Sequence, residues 1–148
     1  MAKTLGYPKV AQKPVSSSKT GQAGCPKASE VAYEDSAGKT ALIPEILACN
    51  STKSAASVLT KLRKSVTGGT PQTAPKQLGS TAFEVSSAQV SYAIVWQRGK
   101  SIGIMQFNTN VPATSSTSTS TTPPPTPITA GQQTTLSRAA LAQDKMLK

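Results

Sequence analysis

The chain has 148 residues, a length that fits one domain, and only 36% of them are hydrophobic. Its formal net charge is +10, and it contains two cysteines and no histidine. No apolar stretch is long enough to span a membrane, the spacing of a zinc site is missing, and the usual general base at neutral pH is absent. These totals favour a small basic domain without a metal or a cofactor.

Residues 1–23 combine lysines with Ser, Gly and Pro, and they are predicted to form a disordered basic arm. The first 27 residues hold five lysines and no acid, so they carry +5, half of the net charge. Such an arm attracts polyanions in a salt-dependent way. Two interpretations stay open: attraction to an acidic cell surface, or nucleic-acid binding, for which no motif is present. The lysines concerned are Lys3, Lys9, Lys13, Lys19 and Lys27.

The two cysteines, Cys25 and Cys49, belong to no CxxC pair. An isolated pair in a small domain predicts a disulfide and an oxidising compartment. The alternative is two buried free thiols in a cytosolic protein. A bond would join the first strands to the start of the next predicted helix, and it would stabilise the fold by roughly 3 kcal/mol through loop closure.

Two strands and a helix come next in chain order. Residues 29–33 predict a short strand, and residues 40–49 predict a second one, in which Pro44 favours an edge or a bulge because it lacks a backbone donor. Residues 53–66 predict an amphipathic helix that follows several candidate N-caps. The apolar residues of this helix recur at spacings of three and four, and they are Ala55, Val58, Leu59, Leu62 and Val66.

From residue 82 the apolar period changes to two. This predicts a meander of three antiparallel strands around residues 82–85, 90–97 and 102–107. The Ser/Thr/Pro-rich segment 112–127 cannot build a core and predicts a flexible link. It leads to a helix at residues 135–148, which a capping box formed by Thr129 and Gln132 precedes.

Together these elements predict an α+β fold, a twisted antiparallel sheet of about five strands with two helices packed on one face. Residues 24–148 are expected to form this single domain, with residues 1–23 as the arm and 112–127 as a flexible segment. The strand at 90–97 is apolar on both faces, which predicts a central position in the sheet.

Two triplets, Gly38-Lys39-Thr40 and Gly99-Lys100-Ser101, match the end of a nucleotide-binding P-loop. Tyr33 in one case and Ile94 in the other stand where the motif requires its first glycine, and neither triplet precedes a predicted helix. Both are therefore predicted to be turns between strands, with Gly99-Lys100 as a two-residue hairpin turn. We expect no binding of ATP or GTP at either triplet.

The sequence predicts no catalytic residue. Nothing in the spacing of the six acids selects a carboxylate pair, so the acids are interpreted as solvated surface groups. The candidate ligand-binding residues are Tyr92, Trp96 and Arg98. Tyr92 and Trp96 share one face of a predicted strand, where aromatic side chains either stack a ligand or fill the core beneath a helix. A ligand site of the folded core is expected between the sheet and its helices, near these residues.

The stretches YAIVWQRGKSIGIMQF, at 92–107, and LSRAALAQDKML, at 136–147, resemble the C-terminal part of small exported lipoproteins and sensor-like domains of actinobacteria. The matching residues of the hairpin and the last helix are Trp96, Arg98, Gly99, Ala140, Gln143, Asp144 and Leu147. The earlier pattern C…ILAC…SAASVLTKL resembles the disulfide-bearing extracellular sensor domains of mycobacterial serine/threonine kinases.

The resemblance implies an exported, non-enzymatic binding or sensor-like domain, extracellular or in the cell envelope, with an unknown envelope ligand or protein partner. Residues 1–15 contain no apolar segment of a secretory signal. The alternative function is binding of a polyanion or nucleic acid through the basic arm. The two hypotheses differ in whether affinity resides in the folded core or in residues 1–27.

Overall fold

The computed structural model describes residues 9–17, 24–36, 40–65, 72–86, 92–109 and 129–147. These residues form seven strands and two α-helices, with a short 3-10 helix at Lys76–Leu78. The strands are β1 Lys9–Ser17, β2 Lys27–Glu34, β3 Thr40–Ala48, β4 Gln72–Thr73, β5 Phe83–Val85, β6 Tyr92–Arg98 and β7 Ser101–Thr109, and the helices are α1 Thr52–Ser65 and α2 Ala130–Met146.

The strands form one sheet in the order β1-β2-β3-β7-β6-β5-β4, and each neighbouring pair is antiparallel. The α+β class and the antiparallel sheet are as predicted, but the sheet is larger than the five strands expected. Six strands have three residues or more, and β4 has two. The two additional strands, β1 and β4, are the edges of the sheet. They are held by backbone hydrogen bonds to one neighbour, and such bonds do not require the alternation of apolar residues by which the other strands were predicted.

The edge strand β1 corrects the prediction of a disordered arm for part of residues 1–23. Its nine residues pair with β2, with two shifts of register along the ladder. Pro14 is compatible with this position because an edge strand forms ladder hydrogen bonds on one side only. The rest of the predicted arm and the predicted flexible segment 112–127 lie outside the described residues.

Pro44 also differs from its prediction, since β3 is an interior strand between β2 and β7. On the β7 side Pro44 is paired with Met105. On the β2 side the pairing passes from Glu45 to Leu42, and Pro44 has no partner. The missing backbone donor thus coincides with a gap in one ladder, which allows a proline inside the sheet.

The meander of β5, β6 and β7 is confirmed. Arg98 is paired with Ser101, so Gly99 and Lys100 form the two-residue turn of the β6–β7 hairpin. Gly99 has a φ of 56°, in the left-handed region that favours glycine. The second triplet is therefore a turn, as predicted, whereas residues 38 and 39 of the first triplet lie outside the described part of the chain.

Two buried clusters lie on opposite faces of the sheet, because side chains alternate along each strand. In β6, Ile94 and Trp96 belong to the cluster that includes α2, whereas Val95 belongs to the cluster that includes α1. β7 divides in the same way, with Met105 facing α2 and Ile104 facing α1. The prediction of both helices on one face is therefore wrong, since strands that are apolar on both faces need a cover on each.

Both helices begin at caps that the sequence contains. The Ser51 hydroxyl accepts the backbone N–H of Ser54 at 3.0 Å and caps α1. Thr129 and Gln132 form the predicted capping box, with each side chain accepting the other's backbone N–H. α2 therefore begins at Ala130, directly after its cap and five residues before the predicted start.

Cys25 and Cys49 form the predicted disulfide, with their Cα atoms 3.7 Å apart. The bond is buried beneath α1, where Cys25 packs into the α1 cluster. Two backbone hydrogen bonds converge on the same place: the N–H of Cys49 donates to the carbonyl of Lys100 at 2.9 Å, and that of Asn50 donates to the carbonyl of Gly24 at 3.0 Å. The start of β2, the β6–β7 turn and the entry to α1 are thereby joined.

Gly103 lies opposite Trp96 in the β6–β7 ladder, and the indole ring lies against its backbone. A Cβ atom at residue 103 would lie 2.3 Å from Cζ2 of the indole, well inside van der Waals contact. The fully buried position of Trp96 therefore requires a glycine at this point of β7.

We expect Gly103→Ala to lower the free energy of unfolding by about 1–3 kcal/mol, because the added methyl group displaces the indole. Gly131→Ala is the matched control: a Cβ atom there meets no atom closer than 3.9 Å. It should raise the free energy of unfolding by about 0.5 kcal/mol through helix propensity. Urea unfolding followed by the fluorescence of Trp96, the single tryptophan, measures both. Equal stability of Gly103→Ala and the natural protein would contradict the close packing.

Candidate functional site

The three candidate ligand-binding residues lie on one face of β6, toward α2. Tyr92, Trp96 and Arg98 share that face because they are separated by even numbers of residues. Tyr92 and Trp96 are buried, at 8% and 0% exposure, whereas the side chain of Arg98, at the end of the strand, is 32% exposed. The structure thus aligns the three residues but places both aromatic rings in the core.

Arg98 and Trp96 bind the same carboxylate, that of Asp144 near the end of α2. The Nε of Arg98 donates to Oδ1 at 2.7 Å and its Nη2 donates to Oδ2 at 2.5 Å, which is bidentate geometry. The indole Nε1 of Trp96 donates to Oδ1 at 3.1 Å. These bonds to Asp144 raise the pKa of Arg98 above its usual value. Asp144 itself is buried, so its charge is neutralised where water has little access.

A second polar contact joins β6 to the first half of α2. The Tyr92 hydroxyl donates to the carboxylate of Glu84 on β5. The side-chain amide of Gln133 donates to the Tyr92 hydroxyl at 3.0 Å and to Glu84 at 3.4 Å. Burial, together with Glu84, raises the pKa of Tyr92, so the phenol stays protonated and keeps its role as a donor.

A third polar contact joins α2 to the interior strand β3. The side-chain amide of Gln143 donates to the backbone carbonyl of Glu45 at 3.0 Å. Its own Oε1 is buried without a hydrogen-bond partner in the described structure. Between the three polar contacts α2 packs through the buried residues Leu136, Ala139 and Ala140.

The bonds of Tyr92, Trp96 and Arg98 are thus made to α2 and its neighbours. A ligand at the aromatic pair would have to displace α2, and ligand binding by these residues stays a prediction. The interpretation of all six acids as solvated surface groups is wrong for Glu84 and Asp144, which are 7% and 4% exposed. The sequence signal that could have singled out Asp144 is its position, with Gln143, in the Ala-x-x-Gln-Asp-x-x-Leu pattern of residues 140–147.

We expect Asp144→Asn to lower the free energy of unfolding by about 1–2 kcal/mol, because Arg98 loses its charged partner. The cost is below that of a fully buried pair, since water reaches the half-exposed guanidinium. The amide oxygen still accepts from Trp96. The control is Lys145→Gln, which removes one charge from the adjacent, exposed position. Urea unfolding measures both, and an unchanged midpoint for Asp144→Asn would contradict the role of the ion pair.

Glu45 of β3 lies on the same face of the sheet as Leu47, which packs in the α1 cluster. Burial raises its pKa above the usual value, and the charge of Glu30, its partner in the β2–β3 ladder, raises it further. A hydrogen bond from Gln106, at 3.4 Å, acts in the opposite direction. The folded protein therefore holds the proton of Glu45 more tightly than the unfolded chain does.

The stability contributed by protonated Glu45 is present below the usual pKa of 4.5 and is lost as the pH rises through the raised value. We therefore expect Glu45→Gln to have a higher melting temperature than the natural protein at neutral pH, and a smaller difference near the usual pKa of Glu45. Glu30→Gln should also raise the melting temperature at neutral pH, but by less, because burial raises the pKa of Glu45 more than the charge of Glu30 does. Thermal unfolding across this range tests both, and a pH-independent difference would contradict this explanation.

A surface pocket of about 270 Å³ lies on the α1 side of the sheet, between that helix, the turn at residues 80–81 and β6. On α1 it is lined by Ala56, Leu59, Thr60 and Arg63, which form one stripe at spacings of three and four. The opposite wall is formed by Ser80, Thr81 and Gln97. The pocket leaves no signal in the sequence because its lining comes from three separate segments.

The pocket opens beside the basic surface of α1. The four bases of α1 are Lys53, Lys61, Arg63 and Lys64, and all four are exposed. The helix contains no acid. Within the described part of the chain none of these bases forms an ion pair. The guanidinium of Arg63 instead lies over the ring of Phe83, 5.6 Å from its centroid.

Among the residues that the structure describes, no group of three or more acidic or cysteine side chains is arranged to hold a metal ion. No helix in the same residues is long and apolar enough to cross a membrane.

The chain matches no protein-family model, no curated protein and no solved structure. The likeness of its hairpin and last helix to actinobacterial exported domains therefore stays a prediction. Because a fold by itself does not define a function, the function is argued from the pocket and the surface of α1.

Proposed function

We propose that the protein is an exported, non-enzymatic, sensor-like binding domain of the cell envelope, and that it binds an acidic polysaccharide through the exposed face of α1. The observation that carries the proposal is the charge of this helix, four exposed bases with no acid and no ion pair. A surface of one sign raises the local concentration of a polyanion and speeds its association. A polymer with a charge on each unit can contact several bases at once.

The placement of the acids supports this choice of surface. Glu84 and Asp144 are engaged on the opposite face of the sheet, in contacts that hold α2. Glu34 is the last residue of β2 and Asp35 follows it, so both lie at the other end of the strand from Cys25 and its disulfide. Glu30 and Glu45 lie on the α1 face of the sheet, yet within the described residues no base of α1 forms an ion pair with a carboxylate.

A location outside the cytosol is supported by the Cys25–Cys49 disulfide, since such bonds persist in oxidising compartments. A binding role is supported over an enzymatic one by the way polar groups are used. The buried acids hold α2 in place, both cysteines are bonded, and the sequence has no histidine.

The alternative function is binding of a polyanion or nucleic acid through the N-terminal residues. It is supported by the five lysines of residues 1–27, which carry half of the net charge. Two of them, Lys9 and Lys13, belong to the edge strand β1. The α1 surface and the N-terminal residues can be tested separately, because each contains at least three lysines that can be replaced by glutamine.

We expect the full chain to bind alginate, a carboxylated polysaccharide, with an affinity that falls as salt rises. The variant Lys53→Gln/Lys61→Gln/Lys64→Gln should lose at least about tenfold in affinity, because three contacts to the polyanion are removed. The matched control, Lys3→Gln/Lys9→Gln/Lys19→Gln, removes the same charge from the N-terminal residues and should stay within about twofold. Biolayer interferometry on immobilised alginate, with neutral dextran as the blank, measures these affinities.

A larger loss of alginate affinity in the N-terminal triple variant than in the α1 triple variant would support the alternative function. It would contradict binding through α1. An oligothymidylate bound as tightly as alginate at the same salt concentration would contradict a preference for acidic polysaccharide. Amide NMR spectra of both variants verify that the fold is retained.

A further inference from the structure

We infer that the pocket between α1, residues 80–81 and Gln97 binds one acidic sugar unit, a sugar ring that carries a carboxylate. The inference deepens the proposed function and rests on it for the class of polymer. The volume of about 270 Å³ is slightly below the range of about 300–1,000 Å³ that holds drug-sized ligands. A single ring fits this space, and the neighbouring units of a polymer would lie over the basic surface of α1.

Arg63 supplies the contact for the carboxylate. Its guanidinium lies against the ring of Phe83, a fully buried residue, so one face of the cation rests on a fixed support. Within the described structure Arg63 donates no hydrogen bond and forms no ion pair. Guanidinium N–H groups match the two oxygens of a carboxylate in bidentate geometry. The cation is therefore oriented but its donors are available to a ligand.

The next two lining groups act as acceptors. Both N–H bonds of the Gln97 amide are used, since it donates to the carbonyls of Thr52 at 3.1 Å and Gly99 at 3.0 Å. Its Oε1 is left to accept. The hydroxyl of Thr60 donates to the carbonyl of Ala56 at 2.9 Å, so its oxygen can only accept from a ligand.

These acceptors distinguish a sugar from a simple anion. An isolated carboxylate has no hydrogen to donate at neutral pH and inorganic phosphate has few, whereas every hydroxyl of a sugar ring can donate. The exposed hydroxyls of Ser80 and Thr81 can donate or accept, which suits the remaining polar edge of a ring. Ala56 and Leu59 give the pocket an apolar wall against which the C–H face of a ring can pack.

The test is a titration of the ¹⁵N-labelled full chain with methyl β-D-glucuronide. We expect saturable shifts of the amide signals of Ser80, Thr81 and Gln97. Methyl β-D-glucoside, which lacks the carboxylate, and inorganic phosphate, which lacks the ring, should each bind at least about tenfold more weakly, the loss expected for one charge-assisted contact.

Two variants and one control locate the site. Arg63→Gln should weaken glucuronide binding at least about tenfold through loss of the carboxylate partner. Ala56→Leu should do the same without a change of charge, because it fills the pocket. Arg138→Gln removes an equal charge from the exposed side of α2, on the opposite face of the sheet, and should stay within about twofold.

Each contrary outcome overturns a defined part of the inference. Equal binding of the glucoside overturns the role of the carboxylate, and equal weakening by Arg138→Gln and Arg63→Gln overturns the pocket in favour of general attraction. Alginate binding that depends on the three lysines, without glucuronide binding, overturns the pocket and leaves the proposed function standing. Glucuronide binding at Ser80 and Thr81 without alginate binding keeps the pocket and overturns the proposed function.

Discussion

The β6–β7 hairpin cannot leave either of its faces in water. Ile94 and Met105 are fully buried on one face, and Ile102 is fully buried on the other. Exposure of either set would return several large apolar side chains to solvent, each worth about 1.5–3 kcal/mol. The chain therefore has to cover both faces, and it does so with α1, which precedes the hairpin, and α2, which follows it. The other interactions of the fold hold these two helices against the sheet.

The two covers are held by different interactions. α1 packs on the sheet through its apolar face, and a disulfide joins the entry of the helix to the sheet. No polar group on the outer side of α1 is needed to hold the helix, so that side can carry charged residues. α2 presents small side chains to the sheet, and hydrogen bonds made by Gln133, Gln143 and Asp144 compensate for the modest apolar contact. The polar groups of the α2 side are thereby used within the fold. This division explains why the candidate binding surface lies on the α1 side.

Sequence periodicity was sufficient for the local elements: the stripe of α1, the hairpin turn at Gly99 and the capping box of α2 all follow from neighbouring residues. It was insufficient for choices made across the sheet. The Arg98–Asp144 pair spans 46 residues and leaves no periodic signal. The two-sided apolar pattern of β6 was visible, yet its consequence, one helix on each face, depends on the path of the chain. The edge strands and the pocket were missed because backbone pairing and assembly from distant segments do not impose a residue pattern.

The edges of the sheet bear on how copies of the protein behave when crowded together. Copies gathered along one polymer would meet at high local concentration, and a long, flat edge strand invites the addition of a strand from a neighbour. β4 offers two residues for such pairing, and β1 carries Pro14 and two irregularities of register. Both edges are thus poor templates for strand exchange. The short length of β4 and the irregular register of β1 would keep crowded copies from joining into a continuous sheet.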